Sequence, residues 1–504
     1  MSDEASPLLL SIDDMIESCM TGHRILHLLP SLLVTIVWIF DAQQTFISVF
    51  TDAEPKWHCQ NPNDPICISS LSPCNLDKDS WAWDMPTDSS VVSEWDLQCS
   101  APALVSLPAS AFFMGCLVGG LLLSTLADSI FGRKRLLVFS CLAMSMAGIS
   151  AVFSPNIWIY SATRFICGFS RATVGTCAMV LCTEIVGKKW REIVSIISYV
   201  WFTLGFLSLP MIAYLCRMMS WRFLYLLTSI PSLCYAVLVY FIVPESPRWL
   251  LVRGRKDEAV QTLKKIATLN GNLITSNFSK LQCFDEPTCK TGMLSTMKML
   301  WERKWARRRL TAIMTISFGV GLSYFGMPLN VGNLGSNLYL IVALNAVAEF
   351  PATLLTFFLV GKINRRSSLF ALTTISGICS LFCLMNNDII PERVQMVVEV
   401  VSFFGACTCC DIILIYTIEL FPTCVRNSAL ALIRQALVLG GVLAPVLVVK
   451  GRNNKFWSFG VFGLAICCCG LFTVCLPETR VRTICDTMEE EEFKEANNPA
   501  RDEN

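Results

Sequence analysis

Asp41, Arg171, Glu349, Asp411 and Arg434 are the residues best placed to do chemistry in this chain, because each interrupts an otherwise apolar run. A charge at the centre of a bilayer costs at least ~2.5 kcal/mol without a partner. Three acids and two bases kept at such positions imply either a solvated, charge-balanced interior or buried pairs that join helices. Gln44 follows Asp41 by three residues, and Tyr324 and Tyr416 bring rings that carry a hydroxyl. Phe202 and Phe325 are further aromatic candidates. Carboxylates and aromatic faces favour cations, quaternary ammonium included. Guanidinium groups favour anions such as carboxylate. Arg434 lies about nine residues past the start of its helix, or roughly 14 Å along it.

A second set of residues repeats. Glu184 is followed seven residues later by Arg191, and Glu419 seven residues later by Arg426, an offset of 419 − 184 = 235. The string PESPR begins at Pro244 and PETR at Pro477, an offset of 477 − 244 = 233. A basic turn follows the second apolar run and another follows the eighth. Asp128, Glu184, Glu245, Glu419 and Glu478 are expected to face Arg133, Arg191, Arg248, Arg426 and Arg480. Acid–base pairs of this kind lock helix ends together and release them, which is gating by a bistable interface. The plainer role is to anchor each helix end.

The elements that position these residues follow from composition. The chain has 504 residues, of which 54% are hydrophobic and only 16% charged. A soluble chain shows roughly 25% charge. Mean hydropathy is +0.55, and a net charge of +1 gives no general attraction to nucleic acid. Twelve apolar stretches are long enough to span a membrane as helices: 25–50, 102–126, 136–153, 157–182, 193–216, 221–243, 311–330, 335–360, 369–385, 394–420, 428–449 and 457–476. The first is too long and too aromatic for the core of a cleavable signal. The repeat groups them as two pseudo-symmetric halves of six. The expected division is a cytosolic tail at 1–24, a half at 25–243, a cytosolic linker at 244–309, a half at 310–476 and a cytosolic tail at 477–504. Parallel repeats of this type hold a solute site between the halves, near the midplane.

Basic clusters at 133–135, 188–191, 248–265, 303–309 and 362–366 all fall on one side, the cytosolic side by the positive-inside rule. Lys450, Arg452 and Lys455 fall on the other side and run against it. That side also has the one large loop, 51–100, with Cys59, Cys67, Cys74 and Cys99. Four Cys in a non-cytosolic loop suggest two disulfides, with three connectivities open. The other cysteines fall mostly in apolar runs, where Cys serves as a small apolar residue, and none has the spacing of a metal site. Asn277 heads a glycosylation sequon on the predicted cytosolic side and is expected to stay unmodified.

These motifs resemble the major facilitator superfamily. The run 127–135, ADSIFGRKR, is similar to its loop signature after the second span, with one residue more between Asp and Gly. The string PESPRWL at 244–250 is shared by sugar and organic-ion branches. The runs NLGSNLY at 333–339, NAVAEFP at 345–351 and ELFPTCVRN at 419–427 resemble organic cation and carnitine transporters. WIFDAQQTF at 38–46 resembles the plant members. The resemblance implies an all-α membrane fold of twelve helices, no enzyme activity, no cofactor or metal, and transport by alternating access.

One departure bears on the solute. The resemblance leads one to expect an acid just before the paired glycines of the eleventh span, and Val438 stands there before Gly440–Gly441. Arg434 lies one helical turn earlier on the same face. A zwitterion such as carnitine would suit both signs, its ammonium at Asp411 and its carboxylate at Arg434 or Arg171. Asp41, Glu349 or Asp411 would carry a coupling proton, with H+ favoured over Na+. No GxxxxGK[ST] phosphate loop is present, which argues against a primary pump. Glu4, Leu8 and Leu9 fit an acidic dileucine sorting signal read by an adaptor, and in plant carriers that suggests the vacuolar membrane over the plasma membrane. A sugar porter of the same superfamily and a non-transporting sensor on the same fold are the alternatives.

Overall fold

A computed structural model describes residues 28–61, 63, 67, 73–129, 132–268, 293–385, 391–480 and 485–496. Asn277 and the dileucine motif at Glu4, Leu8 and Leu9 lie outside them, as does the side chain of Asp128.

Each predicted stretch contains a helix among the described residues. The first six are α1 (Leu29–Thr51), α2 (Leu107–Ser129), α3 (Arg133–Val152), α4 (Ile157–Ile185), α5 (Lys188–Leu215) and α6 (Trp221–Ile242). The second six are α7 (Lys304–Asn330), α8 (Leu338–Lys362), α9 (Arg365–Phe382), α10 (Glu392–Leu420), α11 (Thr423–Gly451) and α12 (Lys455–Cys475). Among the described residues, ten helices are long and apolar enough to cross a membrane. The other two are α2, whose apolar part is Leu107–Leu123, and α9, which opens on Arg365 and Arg366. A helix after α12, α13 (Met488–Ala496), is polar and acidic.

Packing repeats as the sequence does. In the first set α1 packs on α5, α2 on α4, and α3 on α6. In the second set α7 packs on α11, α8 on α10, and α9 on α12. Each contact recurs with helix n replaced by helix n + 6. The sets meet where α2 packs on α11 and α5 on α8, again a matched pair. Close crossings within a set depend on glycine. A Cβ at Gly168 of α4 would strike the carbonyl of Phe112 in α2, and one at Gly440 of α11 would strike the backbone of Leu322 in α7. Small residues let helix backbones approach in this way where lipid gives no hydrophobic drive.

The loop after α1 marks one end of the bundle, the loop face. The basic turns mark the other, the basic face. In the loop, β1 (Trp57–Cys59) pairs antiparallel with β2 (Trp81–Trp83), with Trp57 opposite Trp83. Of the three connectivities left open, the structure has Cys59–Cys67 and Cys74–Cys99. Glu94 fastens the loop to α6, accepting from Trp221 Nε1 and Arg222 Nη1, each at 2.5 Å. The exceptional cations of this face are occupied. Arg452 donates to Glu54 at 3.0 Å and to the Asp52 carbonyl at 3.2 Å. Lys450 lies 5.1 Å over the Trp457 ring.

Candidate functional site

Asp41 sits in the middle of α1 because the run around it is apolar enough to force the helix through the bundle. Its carboxylate is buried and accepts from Arg171 Nη2 of α4 at 2.7 Å. About two turns back on α4, Arg164 is 1% exposed. It donates to the Gln44 carbonyl at 3.3 Å and lies 4.2 Å over the Phe112 ring. Gln44 donates to Thr228 and Ser229 of α6, each at 3.3 Å, so its side chain ties α1 to α6. On this wall, built by the first six helices, Asp41 is matched by Arg171, while Arg164 rests on a carbonyl and a ring.

The wall built by the second six differs. Glu349 of α8 accepts from the Tyr324 hydroxyl of α7 at 2.9 Å, and its second oxygen has no hydrogen-bond partner among the described residues. Asp411 of α10 is half-buried beside Thr353 and Thr356, whose hydroxyls donate to the Glu349 and Ala352 carbonyls at 3.2 and 3.0 Å, and lies within electrostatic reach of Glu349. Glu399, fully buried nearer the loop face, accepts from Asn345 Nδ2 at 3.0 Å. The described ion pairs include no Lys or Arg on any of these three acids. Arg434 of α11 is half-buried, and Tyr199 of α5 lies within electrostatic reach of both Arg434 and Asp411. Tyr324, Glu349, Asp411 and Arg434 therefore share one region, with Asp41 and Arg171 in the other wall. Tyr416 is elsewhere engaged: fully buried, it donates to the Pro477 carbonyl at 2.5 Å.

Four rings close the space between the walls. Phe46 stacks on Phe206 with centroids 4.0 Å apart and meets Tyr324 edge-on at 6.3 Å. Tyr324 stacks on Phe403 at 5.7 Å, and Phe403 returns to Phe206 at 6.2 Å. Of the aromatic residues picked from the sequence, Tyr324 belongs to this circuit, Phe325 packs on Phe113 at 4.7 Å and Phe202 on Trp38 at 6.1 Å. Phe46, Phe206 and Phe403 were missed. One signal was available, since Phe206 follows Phe202 by four residues, on the same helix face. Above the circuit an open cavity of about 1420 Å³ lies beneath the loop, with Trp57, Tyr214, Tyr339, Glu392 and Arg452 in its lining. Tyr339 stacks on Phe50 at 5.6 Å and meets Tyr214 at 5.5 Å, joining the two helix sets there.

At the basic face the acids whose side chains are described take the following partners. Arg133 lies 3.7 Å from Glu184. Glu419 does not take Arg426. It binds Arg365 through two contacts at 3.0 and 3.2 Å and accepts from Thr479 at 2.5 Å. Arg426 donates to the Phe421 carbonyl at 3.4 Å, and Arg191 to the Thr183 carbonyl at 3.2 Å. Glu245 accepts the backbone N–H of Lys134 at 2.9 Å, and Glu478 those of Arg365 and Arg366 at 3.0 and 3.2 Å. Each acid thus satisfies first-turn amides of a helix in its own set, where the helix dipole also favours a negative charge. The turn before α3 needs glycine: Gly132 has φ 83°, and a Cβ there would meet Glu245 at 2.6 Å. Arg480 is exposed and gives its backbone N–H to Glu478 at 3.2 Å. Arg248 is half-buried one turn past Glu245.

Comparison with known proteins agrees with this architecture. A family model described as "Sugar (and other) transporter" matches residues 71–490. Organic cation/carnitine transporter 2 of Arabidopsis thaliana is 52% identical, over 98% of this chain and 96% of that protein. Organic cation/carnitine transporter 3 of the same plant is 51% identical, over 96% and 94%. Solute carrier family 22 member 3 of Rattus norvegicus is 31% identical, over 85% and 76%. Among solved structures, an inward open conformation of the xylose transporter XylE from E. coli superposes with a TM-score of 0.62 at 16% identity, covering 93% of this chain and 98% of that one. That likeness concerns the fold alone.

Proposed function

The chain belongs to the sugar (and other) transporter family of the major facilitator superfamily, on its plant organic cation/carnitine branch, and from that premise we propose that it carries organic cations or carnitine-like zwitterions across a membrane by alternating access. The observation that supports this reading is the pair of interior acids Glu349 and Asp411, beside the hydroxyls of Tyr324, Thr353 and Thr356 and without a basic partner among the described residues. An incoming ammonium supplies the missing positive charge, and Tyr324 offers it an aromatic face. Arg434, or Arg171 once released from Asp41, receives a carboxylate. The coupling ion is H+ rather than Na+, bound and released by Asp41, Glu349 or Asp411.

In this reading the basic face is cytosolic, with tails at 1–24 and 477–504, a linker at 244–309 and six-helix halves at 25–243 and 310–476. The acid–base clusters around Glu184, Glu245, Glu419 and Glu478 stiffen each half so that the halves rock as units. Glu4, Leu8 and Leu9 direct the protein to the vacuolar membrane, and alanine at all three returns it to the plasma membrane.

The test is radiotracer uptake into vesicles, with carnitine, tetraethylammonium and a hexose, each with and without a pH gradient. Saturable uptake of the first two, driven by the gradient, is expected. Uptake of hexose alone would make it a sugar porter, and no uptake of any solute would leave a sensor. Carnitine and tetraethylammonium uptake that Asp411→Asn and Arg434→Ala leave unchanged would overturn the assignment of the site.

A further inference from the structure

One basic segment is not absorbed by transport. Residues 303–309, RKWARRR, hold five cations in seven positions, directly before the apolar part of α7. At 1.5 Å per residue that is headgroup depth in a leaflet.

The structure divides the five into two groups. Arg303 and Arg309 are taken by the acidic helix α13. Arg303 binds Glu489 at 2.6 Å and also Glu492, and Arg309 binds Glu491 at 2.8 Å. Arg309 is buried, lies 4.9 Å over the Trp305 ring and also donates to the Leu420 carbonyl. Lys304, Arg307 and Arg308 are exposed and have no acidic partner among the described residues. Their spacing of three and four residues puts them on one helix face. The preceding helix Met293–Glu302 continues toward them with Trp301, which is 59% exposed. An exposed Trp beside cations at the end of a span is the composition of a membrane interface.

We propose that Lys304, Arg307 and Arg308, with Trp301, bind the phosphorylated headgroup of an anionic lipid in the leaflet at the basic face. The carboxylates of α13 already show the affinity of this segment for anions. A lipid phosphate is held at the same depth as the three remaining cations, which gives it an advantage over a dissolved anion. Arg303 is partly exposed and stands between the two anions. Releasing α13 therefore enlarges the lipid site by one guanidinium. The inference rests on insertion in a membrane and not on the identity of the solute.

The test uses the full-length chain in detergent, with phosphatidylinositol 4-phosphate or phosphatidylcholine added in micelles and unfolding followed by Trp fluorescence. The phosphoinositide raises the melting temperature, the effect fades in high salt, and phosphatidylcholine does nothing. Replacing Lys304, Arg307 and Arg308 together by Gln weakens the phosphoinositide effect about 100-fold in concentration. Glu489→Gln with Glu492→Gln strengthens it. Melting of each variant without lipid verifies that it is folded. An undiminished response in the triple variant would overturn the proposal. So would an equal response of the wild type to soluble inositol phosphate, because the site would then not be one for lipid.

Discussion

The two walls of the interior hold buried acid in opposite ways. In the first, Asp41 is matched by Arg171 at 2.7 Å. In the second, Glu349 and Glu399 accept from Tyr324 and Asn345, and Asp411 lies beside Thr353 and Thr356, all neutral groups. A matched pair keeps both charges through any motion that moves its two helices together. An acid surrounded by hydroxyls must take either a proton or a cation from outside. The first wall thus holds its acid in a standing ion pair and the second leaves its acids open to an incoming cation, although both come from the same repeat.

The largest test of this contrast is to remove the match. Asp41→Ala strands Arg171 in the interior and is expected to destabilise the protein by about 3–5 kcal/mol, read as a fall in melting temperature. Exchanging the pair, Asp41→Arg with Arg171→Asp, recovers part of the loss. On the second wall the expected pattern is reversed. Glu349→Gln keeps an acceptor for Tyr324 and leaves melting nearly unchanged, while uptake of tetraethylammonium falls roughly ten- to a hundred-fold, the worth of one charge-assisted contact. Equal melting losses in the two variants would dissolve the distinction.

An intermediate case sharpens it. Asp52, just past the end of α1, accepts from Tyr160 at 2.9 Å and Thr51 at 3.0 Å, close to Arg164. Burial pushes its carboxyl up to about 6 and outweighs the opposing pull of Arg164. A raised acid contributes stability below its unfolded value, near pH 4, and loses it as pH rises through the folded one. Melting temperature at the loop face should therefore decline between about pH 4 and about pH 6, and Asp52→Asn should flatten that decline. The smallest effect concerns the contact that spans both helix sets. Glu54→Gln loosens the grip on Arg452 and should cost only about 1 kcal/mol, measured by melting, with Arg452→Gln adding only the loss of its bond to the Asp52 carbonyl in the double variant.

The architecture was legible because apolar runs and a 233–235 residue offset are local properties of a chain. Asp41, Glu349 and Asp411 were legible for the same reason: a charge inside an apolar run stands out without any knowledge of its neighbours. Partners were not. Glu419 and Arg426 look paired because seven residues separate them, yet α9 brings Arg365 closer than the helix turn brings Arg426. The basic turn at 362–366 was visible, but its sign alone indicated only sidedness. The ring circuit draws Phe46, Phe206, Tyr324 and Phe403 from four helices, and no spacing along the chain encodes that meeting.

The grip of Glu54 on Arg452 joins residues 398 apart, and that separation sets an order of assembly. Synthesis at about 5–20 residues per second puts roughly 20–80 s between the emergence of the two. Throughout that interval the loop has no docking surface on the later helices. Its two disulfides close over only 8 and 25 residues, so they can form before the rest of the chain exists. The crosslinks are thus placed to keep the loop in shape during a wait on the ribosome, and a reducing environment at that stage would do more harm than the same treatment of the finished protein.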